Sequence, residues 1–399
     1  MSALGPAPRY TAFDGLRTLC FSTIIFWHAL LPFTNRPRGL KADETSEWAD
    51  LVLWLLRGLA LKELFLIAGF LAHASVQRWG EKAYLKQRAL RLGLPFLAGW
   101  LFFNLLFLSE VGWVLGLTPW AFAASLVKSG DWYEVVSARH LWFLVDLAFL
   151  TVGVVVLHDL GRQLLPEAWR QRADLLSERL LATPWCPLLL AVPTGLLIWL
   201  HEPRYPSAEL TQFAALPFYP LITMLGFHAV FFVVGWILWP HSSLLTVFAR
   251  RWGLNFFLGL ALRGLHYYLV QSGPRTPWTS PLAIQFLDAL GSWCVVLGLL
   301  GLFFRYMVTD RPLWRYLADS AFWCYLAHFF FMEHAQLWLN GRGWPWTVQY
   351  LVVVLITWIG LFASYELFVR YTFVGRALHG PRQPPEEGRL AALSLAASN

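Results

Sequence analysis

An arginine and a histidine stand eleven positions apart in the first apolar run. Residues 14–28 read DGLRTLCFSTIIFWH, with Arg17 near the start and His28 at the end. A helix carries residues eleven apart to about 16 Å along its axis and to within about 20° of one face. Arg17 would then sit near a membrane surface and His28 inside. An ionisable side chain at membrane depth marks a functional site by default. Imidazole titrates near neutrality, which suits a general base or a transient acyl carrier. The competing reading is a histidine that satisfies one packing hydrogen bond, and the same-face arginine weighs modestly against it.

Other polar side chains interrupt apolar runs. The stretch AYLKQRALRLGLPF places Arg88 and Arg91 three apart, with Lys82 and Lys86 just before them. Three-residue spacing shares a helix face, and the guanidinium fork matches phosphate oxygens. This loop suits the phosphates of a cytosolic anionic donor, or it is ordinary cytoplasmic positive charge. In LALKELFLIAGFLAH, Lys62 and Glu63 lie at mid-depth. Glu63 would orient a histidine or hold a proton, or the two charges would form a packing ion pair. HLWFLVDL carries His140 at the outer edge and Asp146 inside, either beside a sugar-stacking platform or among interface anchors. Arg263 and His266 follow, and SAFWCYLAHFFFMEH adds Ser320, Tyr325, His328 and Glu333. Polar groups on so many spans imply a shared hydrated interior. Motifs of a zinc protease, a Walker-type ATPase or a Gly-x-Ser-x-Gly hydrolase are missing from these segments, so no metal is expected.

These side chains need a membrane-embedded frame. The chain is 57% hydrophobic and 14% charged, against about 25% charged for soluble domains. Its 23 tryptophans suit aromatic belts at two interfaces. Apolar runs near 20 residues predict an all-α, polytopic transmembrane bundle, and the alternation of a β-barrel is missing. Ten spans are predicted, near 14–33, 51–73, 89–109, 141–158, 183–201, 216–238, 252–272, 281–304, 320–339 and 346–369. With the N-terminus in the cytoplasm, Lys and Arg divide 20 inside to 8 outside, leaving Arg57, Lys62 and Arg263 within spans. The positive-inside rule therefore gives N-in and C-in. The net charge of +7 reads as topology, and nucleic acid is not expected as a partner. Cys20, Cys186, Cys294 and Cys324 read as small buried hydrophobes. The first run is expected to remain as a signal anchor. Residues 1–378 read as one membrane domain and 379–399 as a disordered cytoplasmic tail.

These motifs resemble the integral-membrane acyltransferase family 3. Its Arg-x10-His pair is matched by Arg17 and His28, and its short basic motif by Arg88-Ala-Leu-Arg91 before LPF. ELFLIAGFL is similar to the family's Ser-Gly-Phe-Leu segment, with Ala68 where serine is usual. HLWFL and CYLAH complete the series, and the resemblance covers about residues 9–376. Within the family, HLWFLVDL, GFHAVFFVVGW and SYELFVR look most like the branch that succinylates osmoregulated periplasmic glucans.

The resemblance implies transfer of an acyl group, succinyl favoured over acetyl, from cytosolic acyl-coenzyme A to a hydroxyl of a periplasmic glucan or other exported glycan. It implies a bacterial inner-membrane enzyme with no resident cofactor. Membrane lipid is a further partner, and a homo-oligomer is left open. On this reading His28 and Glu63 are the catalytic candidates. Arg17, Arg88 and Arg91 bind the donor. His140, Asp146, Arg263, His266, Tyr325 and His328 line the cavity or acceptor site, Arg263 as a partner for a succinyl carboxylate. The alternative is a proton-coupled transporter or flippase, since the same residue types serve proton relays. The missing internal repeat weighs against it.

Overall fold

The computed structural model describes residues 10–35, 42, 44–201, 222–272, 280–309 and 311–379. Among these residues every regular element is helical. The expected tail lies, apart from His379, outside the described residues, as does the start of the sixth apolar run. The helices are α1 (Thr11–Leu30), α2 (Glu47–Arg57), α3 (Lys62–Trp79), α4 (Glu81–Arg88), α5 (Leu94–Val114), α6 (Pro119–Ser129), α7 (Trp132–Val135) and α8 (Trp142–Leu164). They continue as α9 (Glu167–Ala182), α10 (Cys186–His201), α11 (Ile222–Leu238), α12 (Leu245–Ser272), α13 (Pro281–Tyr306), α14 (Pro312–Leu339), α15 (Trp346–Ser364) and α16 (Phe373–His379).

Five helical stretches are long and apolar enough to cross a membrane: Thr11–Phe33, Glu81–Val114, Arg139–Leu164, Pro281–Tyr306 and Trp346–Val369. Two bent pairs raise the count to seven, α9 with α10 at 108° and Ile222–Leu238 with Ser242–Gln271 at 104°. The chain is therefore a multi-pass membrane protein, with fewer spans by this measure than the ten apolar runs predict. Two of the expected runs fall in α3 and α14, which carry Lys62, Glu63, Tyr325, His328 and Glu333. The polar side chains singled out from sequence are the ones that lower the apolarity of these helices.

The expected second span, 51–73, is not continuous. It breaks between α2 and α3, where Lys62 N–H donates to the Ala60 carbonyl at 2.9 Å across Leu61 at φ 69° and ψ −53°. This is a γ-turn of the rare, strained hand. It leaves Lys62 and Glu63 in the first turn of α3, 2% and 1% exposed, rather than midway along a span.

Glycine sets the closest helix contacts. A Cβ on Gly69 would lie 1.8 Å from the Phe232 carbonyl oxygen, and one on Gly235 would lie 1.9 Å from that of Leu66. α3 and α11 thus touch backbone to backbone at two reciprocal points, as small residues allow in membranes. α1 runs through the bundle interior, with 14 of its 20 residues buried. It packs against α14 and α15, Ile25 against Cys324 and Leu361, and Ala29 beside Met332, Ala335 and Val353. The four cysteines are free and buried, as their apolar settings predict.

Candidate functional site

α1 carries His28 two residues before its C-terminal end. Its ring meets that of His328, which projects from α14. His28 Nδ1 and His328 Nε2 are 3.1 Å apart, and the rings stack at 19°. His328 Nδ1 donates to the Tyr325 carbonyl, 2.7 Å away and one turn earlier in α14. His140 joins from the turn before α8, with its ring 5.2 Å from that of His328. Its Nε2 donates to the Leu326 carbonyl at 3.1 Å. Tyr325 completes the tie, its hydroxyl donating to the His140 carbonyl at 2.7 Å. Phe329 packs against all three imidazoles, at ring distances of 4.9, 4.9 and 4.6 Å. His28, His140, Tyr325 and His328, four of the residues singled out from sequence, therefore form one buried group.

The turn that presents His140 is clamped from outside. Arg139 adopts φ 49°, an uncommon conformation for a side chain of its kind. Its guanidinium donates to Asn104 Oδ1 at 3.2 Å and to the Glu134 carbonyl at 2.9 Å, and lies 3.6 Å from the Phe107 ring centroid. Asn104 in turn donates to the Ser137 carbonyl at 3.0 Å. Partial burial raises the Glu134 carboxyl above its ordinary value, and the Arg139 charge pulls it back. Sequence reading missed Asn104 and Arg139. A lone asparagine inside the apolar run 94–114 was the available signal.

Arg57 was assigned only to a span. It is 5% exposed, and its guanidinium lies 5.2 Å from the Trp27 ring centroid. Trp27 is itself 4.7 Å from the His28 ring. A fixed positive charge thus borders the histidines through one indole.

Glu63 is not the group that orients His28. The His28 hydrogen bond goes to His328, and Glu63 sits at the start of α3. Arg17 pairs with Asp14 on its own helix at 2.9 Å. Arg88 stacks on buried Tyr84 at 5.3 Å. One turn of wider π-helix, Ala89–Gly93, begins just after Arg88 and contains Arg91. Arg91 is consequently rotated further from Arg88 than α-helical spacing predicts. Such turns recur at functional positions in helices.

Two further buried groups stand apart. Asp146 accepts from His228 Nδ1 at 2.7 Å, with the His228 ring stacked 4.4 Å from Phe65. Phe143 links this pair to the histidine group, touching Phe65 at 4.9 Å and Tyr325 at 5.7 Å. Arg263, 2% exposed, donates to Asp288 at 3.0 Å, to Ser292 at 3.2 Å and to the Trp54 carbonyl at 3.1 Å. His266 lies 3.7 Å from the same Asp288 oxygen. The sequence expectation gives Arg263 to a substrate carboxylate. In this structure the Arg263 guanidinium is already paired with Asp288, the carboxylate of a neighbouring helix. Lone opposite charges in two apolar runs were the signal that would have paired them.

A cavity of about 360 Å³ lies between α9, α10 and α11, lined by Leu181, Leu190, Pro193, Val230 and Val234 among others. It is apolar and does not include the histidines. Among the described residues no three His, Cys, Asp or Glu side chains, the three histidines included, are placed to hold a metal ion together.

The helices and buried imidazoles define a multi-pass membrane protein with a polar, histidine-rich interior. Comparison with known proteins gives the class. A family model described as an acyltransferase domain matches residues 10–366, and the chain belongs to that acyltransferase family, the one its Arg-x10-His pair resembles. It is an enzyme that transfers acyl groups other than aminoacyl groups. Curated relatives are glucans biosynthesis protein C from Salmonella paratyphi B, Salmonella dublin and Salmonella enteritidis PT4. Each is 22% identical over 334 residues, covering 81% of this chain and 82% of the relative. No solved structure matches.

Proposed function

We propose that the protein moves an acyl group, succinyl in preference to acetyl, from cytosolic acyl-coenzyme A to a hydroxyl of a periplasmic glucan or similar exported glycan. The observation that carries the reading is the buried contact between His28 and His328 beside His140. His28 keeps 9% of its surface open, whereas His328 keeps none. His140 keeps 8%, so the open edge of the group is shared by His140 and the imidazole of the Arg-x10-His pair. The glycan acceptor is taken from the name of the relatives and from the branch that the motifs resemble.

The chemistry needs one base. His28 removes the proton from the acceptor hydroxyl as its oxygen attacks the thioester carbon. The carbon–sulfur bond breaks, and the proton passes to the departing coenzyme A sulfur. A general base at this step contributes roughly 10²–10⁴-fold. The phosphates of the donor remain at Arg88 and Arg91, and the pantetheine arm carries the thioester inward.

The orientation that suits this path is N-in and C-in in a bacterial inner membrane, with ten crossings. α12 and α14, at 28 residues each, are about 42 Å long, enough to span a bilayer. Arg17, Arg88 and Arg91 then face the cytosol, where acyl-coenzyme A is made.

Mass spectrometry of envelope glycans from cells with and without the protein tests the assignment. The expected result is loss of the succinyl substituent. Unchanged glycans, together with purified protein that leaves acyl-coenzyme A intact, would favour a transporter. Replacing Arg88 with alanine is expected to raise KM for acyl-coenzyme A about tenfold with kcat little changed, as the loss of one charge-assisted contact predicts. An unaltered KM would make the basic loop topological only.

A further inference from the structure

We propose that His328 is the positioning residue that decides which nitrogen of His28 reacts. The proposal rests on the reading of His28 as the reacting imidazole and adds the identity of the atom.

A carbonyl oxygen accepts only, so the nitrogen facing it must carry a proton. His328 Nδ1 faces the Tyr325 carbonyl at 2.7 Å and is therefore the protonated nitrogen of that ring. In a neutral ring, His328 Nε2 then holds the lone pair. That nitrogen faces His28 Nδ1 at 3.1 Å, so His28 Nδ1 donates. The lone pair of His28 falls on Nε2. The chain of donors runs in one direction, from His28 Nδ1 to His328 Nε2, and from His328 Nδ1 to the helix backbone.

The surroundings keep the rings neutral at rest. No carboxylate ion-pairs with either ring among the described residues, although five other histidines have one within 4 Å. The groups that face the pair are His140, Phe329 and Trp27, with the Arg57 guanidinium behind the indole. His140 spends its own N–H on the Leu326 carbonyl and offers no counter-charge. A buried cation beside Arg57 would lack compensation.

Fixing the tautomer has a chemical result. When His28 Nε2 takes a proton from the acceptor hydroxyl, the imidazolium keeps its Nδ1–H bonded to a neutral acceptor. Positive charge forming on His28 is then stabilised without rearrangement. Orienting partners of catalytic histidines act in this way elsewhere, and a wrong tautomer alone lowers kcat by orders of magnitude.

The test compares two substitutions in the full chain, His328→Gln and His328→Leu, reconstituted with acyl-coenzyme A and purified glucan. Glutamine can still present an oxygen to His28 Nδ1, and leucine cannot. His328→Leu is expected to lower kcat about 100-fold with both KM values within about twofold, and His328→Gln to stay within about tenfold of the parent. Leucine at parental kcat, or glutamine as impaired as leucine, would overturn the proposal. Nitrogen-15 spectra of histidine-labelled parent protein give a readout that does not need activity. With the His28 signals assigned by loss in His28→Asn, the unprotonated nitrogen is expected at Nε2, and finding it at Nδ1 would also overturn the proposal. If His28→Ala is inactive while His328→Leu is not, only the positioning role fails. If His28→Ala is fully active, the underlying reading fails instead.

Discussion

His28→Ala is expected to abolish acyl transfer, by about 10³-fold or more, while the protein still inserts and folds. The two halves of this expectation have separate causes. The imidazole lies at the open edge of the histidine cluster, which it shares with His140, and it is the proposed base, so its removal takes away the base. Its structural share is small, because its hydrogen bond is the single one to His328. Losing such a bond costs about 1–2 kcal/mol. Its backbone lies within α1, whose neighbours Ile25 and Ala29 pack against α14 and α15 through apolar contacts that the substitution leaves alone. Acylation assays in proteoliposomes, paired with size-exclusion profiles in detergent, check both halves. Full activity in a monodisperse variant would remove His28 from the mechanism.

Gly69→Ala is expected to cost about 3 kcal/mol, the upper part of the range for overpacking. The added methyl would sit 1.8 Å from the Phe232 carbonyl oxygen and 2.8 Å from its carbon. Backbone atoms cannot swing aside as a side-chain tip does, so α3 and α11 must separate. α3 begins at Lys62 and Glu63, and α11 carries His228 opposite Asp146. The lost stability should therefore be accompanied by lost activity. Gly153 on α8 is the control, since a Cβ there meets nothing within 4 Å. Thermal unfolding in detergent should show a lower midpoint for Gly69→Ala and a near-parental one for Gly153→Ala. Equal midpoints would mean that the α3–α11 seam is looser than described.

Much of the site could be read along the chain because membrane helices expose their exceptions. A histidine, tyrosine or aspartate inside an apolar run stands out, and His28, His140, Tyr325 and His328 were all visible for that reason. Their grouping was not. Partner choice depends on which helix faces approach, and that is set by close contacts such as Gly69 with Phe232, which follow no period in sequence. Glu63 reads from sequence as a group to orient a histidine or hold a proton, whereas the hydrogen bond of His28 goes to His328. The break at Leu61 was illegible for another reason. Its positive φ is carried by leucine, where glycine or asparagine would have signalled a turn. Arg263 was seen, but its neutralisation by Asp288 needed the two lone charges to be paired across a 25-residue gap.

The contact between His28 and His328 joins positions 300 residues apart. At ribosomal speeds of about 5–20 residues per second, His28 is made roughly 15–60 s before its partner. During that interval the newborn protein has an imidazole with no mate, and the helices up to α14 must be made before the pair can form. The histidine pair can therefore form only when most of the chain has been made.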